Sequence, residues 1–170
     1  MGKSQKDIIL FEQFLKKLDS SGTFIDVQED FSKFKDTSGV WACYGINKKK
    51  PSGWECLNVG QCKRIGIEMR NDLKYSRGKF SHKQGEYRNY NNKKIFEFKR
   101  PNNEPITIQE RVWKHIGDNF ENLHFIVILD SDDEDERLIK EMNFAEKEEA
   151  VYWNYSPKQR KLKAKNKLQN

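Results

Sequence analysis

Residues 38–75 constrain the fold more than any other part of this chain. Ser38-Gly39-Val40-Trp41-Ala42-Cys43-Tyr44-Gly45-Ile46 is an apolar run with strand-forming residues. Lys48-Lys49-Lys50-Pro51-Ser52-Gly53 follows, a turn by its proline and glycine. Trp54 to Val59 forms a second run. Gly60-Gln61 then leads into Ile65, Met69 and Leu73, four residues apart on one helical stripe. The pattern dictates strand, turn, antiparallel strand, tight turn and helix.

The flanking segments add helices to this hairpin. Residues 5–18 place Ile8, Phe11, Leu15 and Leu18 at helical spacing, and Ser20-Ser21-Gly22 ends that helix. Phe24, Ile25, Phe31 and Phe34 are expected to pack onto the domain. Ile108, Val112, His115 and Ile116 mark another helix, and His124 to Leu129 is the clearest core strand. Ser131 with Glu134 reads as a capping box for a last helix reaching about Trp153. Residues 158–167 hold six Lys/Arg and no acid, the pattern of a mobile or DNA-following tail. The expectation is an α+β fold, a small, mainly antiparallel sheet flanked by helices. Its divisions are an N-terminal helical extension (1–36), a core (37–156) with a basic insertion at about 76–105, and a basic tail (157–170).

Charge and composition bound the partner. A chain of 170 residues supports one core. Its mean hydropathy of −0.98 leaves aromatic residues, 12% of the chain, to supply much of the burial. The net charge of +6 favours a polyanion, and residues 74–100 concentrate it, with nine Lys/Arg against Glu86 and Glu97. No run approaches the roughly 20 apolar residues that span a bilayer, so no membrane partner is expected. Cys43, Cys56 and Cys62 form no CxxC pair and the N-terminus lacks the apolar core of a signal peptide, which points to reduced thiols in a cytoplasm. Buried free thiols are favoured over a zinc site completed by His82.

The tripeptides Gly39-Val40-Trp41 and Asn58-Val59-Gly60 lie on paired strands before a helix. With the basic insertion, core strand and acidic-start helix that follow, residues 38–156 resemble the GIY-YIG nuclease domain. That resemblance implies hydrolysis of a DNA strand: a tyrosine orients water, an arginine binds the scissile phosphate, and a glutamate of the last helix holds one Mg²⁺. Both motif tyrosines are replaced here. Trp41 has only an N–H donor, and Asn58 orients water without accepting its proton. Leu138, Met142, Ala145, Glu149 and Tyr152 step by four and three, so Glu149 is expected on the core-facing stripe as the metal ligand, with Glu146 second. Trp153-Asn154 is also similar to the family. The arginine position holds Glu68, so Arg70 is assigned the phosphate, while Arg64 is expected to pair with Glu68. Tyr44, Tyr87 and His82 are the open candidates for the base, although alternation puts Tyr44 on the face opposite Trp41. Arg77, Lys79, Lys83, Arg88, Lys94, Lys99 and Arg100 would grip the DNA.

The expected function is a Mg²⁺-dependent DNA endonuclease of restriction or mobile-element type, and a palindromic target would favour a homodimer. Two alternatives stand beside it. Glu97-x-Lys99 on a strand has the pattern of PD-(D/E)xK nucleases. A non-catalytic nucleic-acid-binding module of nuclease-like shape would keep the basic residues, and Trp54, Tyr87 and Tyr90 could stack on bases.

Overall fold

The computed structural model describes residues 8–79, 83–88, 94–99 and 108–169. In chain order they form α1 (Phe11–Leu18), β1 (Ile25–Asp26), one 3-10 turn (Phe31–Phe34), β2 (Gly39–Asn47), β3 (Glu55–Cys62), α2 (Ile65–Ser76), β4 (Lys83–Arg88), β5 (Lys94–Lys99), α3 (Ile108–Asn119), β6 (Phe120–Asp130), α4 (Glu134–Lys147) and α5 (Pro157–Gln169). The main sheet is antiparallel in the order β1-β6-β2-β3, and β4-β5 make a two-stranded sheet of their own. The fold is α+β, as the sequence pattern implies.

β2 is buried at every position but its last because it has strands on both sides and helices on both faces. Alternation divides its side chains between two cores. Trp41 and Cys43 join Phe125, Val127, Ile65, Met69, Trp113 and Ile116 on the α2–α3 face. Val40, Ala42 and Tyr44 join Phe11, Ile126, Ile128, Phe144 and Ala145 on the α1–α4 face. The hairpin register slips by one residue: Cys43 pairs with Asn58 while Tyr44 pairs with Cys56. Leu57 is the extra residue of that bulge and packs in the α2–α3 core, while Cys56 and Val59 both pack on the opposite face. α2 and α3 cross closely at Gly117, where a β-carbon would collide with the Ser76 carbonyl oxygen.

Several boundaries differ from expectation for local reasons. α1 starts at Phe11 and is no detached extension: Phe11 stacks on His124 at 4.1 Å, and β1 pairs with β6. α4 is capped by Asp133, whose carboxylate accepts from Glu136 N at 3.0 Å, rather than by Ser131 and Glu134. Its last turn closes at Lys147. Glu149 N donates to Glu146 O at 3.3 Å and Ala150 N to Ala145 O at 3.0 Å, with Glu149 left-handed at φ 53. That is a Schellman stop without its usual glycine. The basic tail is a helix: Ser156 and Gln159 cap α5 reciprocally, and Gln159 anchors it by donating to Leu138 O at 3.0 Å. Among the described residues no helix is long and apolar enough to cross a membrane.

Candidate functional site

Where the open edge of β3 meets α2, α3 and the chain after α4 lies a cavity of about 400 Å³ that opens to solvent. Its position follows from the hairpin. Trp41 faces Gly60 across the strands, and a β-carbon on Gly60 would lie 2.5 Å from the indole, so only glycine lets the ring cross β3. Alternation puts Asn58, two residues before Gly60 and opposite Cys43, on the same side. Glu68 and Asp72 reach the cavity from α2, Gln109 and Trp113 from α3, Glu141 from α4, and Trp153 and Asn154 from the segment after it.

The polar inventory is dominated by carboxylates. Trp41 Nε1 donates to Glu68 Oε1 at 2.9 Å, and Trp153 Nε1 to Glu141 Oε1 at 2.8 Å. Gln159 Nε2 donates to Glu141 Oε2 at 3.1 Å, and Gln109 Nε2 to Asp72 Oδ1 at 2.6 Å. Asp72 is 1% exposed, and its Oδ2 has no hydrogen-bond partner among the described residues. Burial raises all three acids. Glu141 is pushed up to about 7 despite its two donors; Asp72 is raised well above its usual range by burial and then by Glu68; Glu68 is raised by burial. Arg137, the buried cation among the described residues, serves neutral partners instead. Its Nε donates to Gln61 Oε1 at 3.0 Å and a terminal nitrogen to Ser131 O at 3.1 Å.

The residues assigned from the sequence do not assemble here. Glu149 is exposed beyond the end of α4, at the far end of the hairpin beside Glu55 and Cys56. The stripe that placed it in the core needed a helix that continued, and the chain turns left-handed at that residue. Arg70 is exposed, and Glu146 is exposed, close to Tyr155 and Lys163. Arg64 pairs with Asp36 at 3.5 Å rather than with Glu68. Tyr44 stays on the α1–α4 face, donating to Glu148 Oε1 at 2.6 Å, and burial raises its phenol far above the usual range, which removes it as a base. Trp54 packs edge-on to Phe11 and donates to Ile9 O at 2.9 Å.

Of the cationic residues, Arg77 and Lys79 are exposed after α2, with Arg77 on Glu29. Lys83, Tyr87 and Arg88 fall on β4, and Lys94, Glu97 and Lys99 on β5, whose only strand partner among the described residues is β4. The PD-(D/E)xK pattern therefore sits outside the main sheet. His82, Tyr90 and Arg100 lie outside the described residues.

The Mg²⁺ that the resemblance implies finds no matching donor set. Its assigned ligand, Glu149, faces solvent, and among the described residues no three of His, Cys, Asp and Glu are grouped to hold a metal ion. Glu68, Asp72 and Glu141 were not assigned roles from the sequence, although Asp72 falls on the Ile65/Met69/Ser76 stripe and Glu141 lies one turn after Leu138. Compared with protein-family models, curated proteins and solved structures, the chain has no match in any of the three.

Proposed function

We propose that this chain is a nucleic-acid-binding module whose nuclease-like core does not hydrolyse the backbone. One observation carries the reading: the cavity beside Trp41 and Asn58 presents half-buried Glu68 and buried Asp72 where a scissile phosphate would need a cation. A phosphodiester 4 Å from one ionised carboxylate meets about 4 kcal/mol of repulsion at an effective dielectric of about 20. Neither Glu68 nor Asp72 can supply the positive charge that a scissile phosphate needs, and either one opposes it when ionised. A tryptophan and an asparagine in place of tyrosines leave no group to take a proton from water.

The binding half rests on charge. The net +6, the basic stretch at 74–100 and α5 supply cations for counterion release along a backbone. Lys158 and Lys163 of α5 pair with Glu134 and Glu146, while Arg160, Lys161 and Lys165 are exposed.

The test measures fluorescence anisotropy of labelled duplex DNA and single-stranded RNA at increasing salt, beside nicking of supercoiled plasmid with Mg²⁺ or Mn²⁺. The expected result is affinity that falls steeply with salt and intact plasmid throughout. Metal-dependent nicking lost in Asp72→Asn or Glu141→Gln would overturn the reading in favour of a nuclease.

A further inference from the structure

Among the described residues no cation pairs with the acids of the Trp41 cavity, and burying them is costly unless something cationic enters. Asp72 Oδ2 is the clearest sign, an acceptor without a partner among the described residues on a side chain 1% exposed. Glu68 Oε1, Asp72 Oδ1 and both Glu141 oxygens accept from neutral donors, indole N–H groups and side-chain amides. The walls add two indoles, Trp41 and Trp153, whose faces attract organic cations.

Size and spacing choose the kind of cation. The cavity of about 400 Å³ falls within the range of small-molecule sites and far exceeds a bare ion. Its acids are not grouped as metal ligands. They come from two helices, Glu68 and Asp72 on α2 and Glu141 on α4, so positive charge spread along a short chain meets more of them than a point charge does.

We propose that this cavity binds an alkyl ammonium of the diamine class, with Asp72 and Glu141 as its two carboxylate anchors and Trp41 and Trp153 against its methylenes. A free diamine or polyamine presents this pair of charges, whereas a lysine side chain presents one ammonium and meets only one anchor. This inference shares its cavity with the non-catalytic half of the proposed function, whereas the DNA-binding half of that reading rests on basic residues outside the cavity.

The experiment titrates the whole chain with putrescine, spermidine, Nα-acetyl-lysine amide and MgCl₂ by calorimetry and tryptophan fluorescence. Asp72→Asn, Glu141→Gln and the solvent-facing control Glu149→Gln are run alongside, with thermal unfolding to confirm that each folds. The expected result is saturable one-to-one amine binding, weakened at least tenfold in the two cavity variants and unchanged in the control. Saturable binding of putrescine or spermidine, tighter than that of the single-ammonium lysine derivative, supports the site; binding of the lysine derivative alone would overturn the two-anchor reading. No saturable amine binding by the unmodified chain, equal affinity in folded Asp72→Asn and Glu141→Gln, or binding of Mg²⁺ alone would overturn it. DNA affinity unchanged in the cavity variants separates failure here from failure of the nucleic-acid reading.

Discussion

Trp41 and Tyr44 sit three residues apart on β2, on opposite faces, and the two interiors they meet are built differently. On the Tyr44 side the polar group is satisfied by one short bond to a half-buried Glu148, and aromatic rings from α1 fill the rest, with Phe14 at 5.2 Å and Phe11 at 6.0 Å. On the Trp41 side, two indoles and two amide side chains meet three carboxylates whose burial raises their pKa values. The first is an ordinary way to bury a tyrosine. The second keeps charge in a place where packing alone would favour apolar residues.

Substitutions sharpen the contrast. Trp41→Ala empties a side chain 2% exposed that packs on Trp113 and Phe125, and should cost about 4 kcal/mol in chemical denaturation. A loss below about 1 kcal/mol would mean that the indole is not part of the core.

The next effect depends on pH. Glu141 is raised from its ordinary 4.5 to about 7 in the fold, so it stays protonated there after it has ionised in the unfolded chain. Its contribution therefore falls as pH rises through that window, by about 3 kcal/mol in total. Unfolding curves from pH 4 to 8 should show this decline, and Glu141→Gln should flatten it; equal slopes in the two proteins would contradict the burial of this acid.

Tyr44→Phe, on the other face, should cost about 1 kcal/mol and leave the pH slope untouched. Smallest, and opposite in sign, is Glu149→Gly. It relieves a left-handed non-glycine residue and should stabilise the chain by about 1 kcal/mol. Any loss on that substitution would restore a structural or ligand-holding role to Glu149.

The hairpin, α2 and the inner part of β6 were legible because alternation and helical stripes are local properties of the chain. The end of α4 was not. No glycine or proline marks it, and the four-and-three spacing of Leu138, Met142, Ala145 and Glu149 continues past the point where the hydrogen bonds turn back. That hidden stop is why Glu149 was expected on the core-facing stripe and instead lies exposed. β1 has two residues and exists only because β6 offers it an edge, so no local pattern announces it. Of the cavity, Trp41, Asn58 and Gly60 were visible as a pair of tripeptides. Glu68 was visible only as a residue standing where an arginine was expected. Asp72 needed the observation that a helix stripe with a carboxylate on it is a candidate rather than a flaw.

The buried acids on the Trp41 face are tested most directly by following side-chain carboxyl carbons with ¹³C NMR from pH 3 to 9. The account predicts that Glu141 titrates near 7, with its resonance lost in Glu141→Gln and shifted in Asp72→Asn or Glu68→Gln. A Glu141 carboxyl that titrates at its ordinary value would contradict it, and the cavity would be an open groove lined by solvated acids.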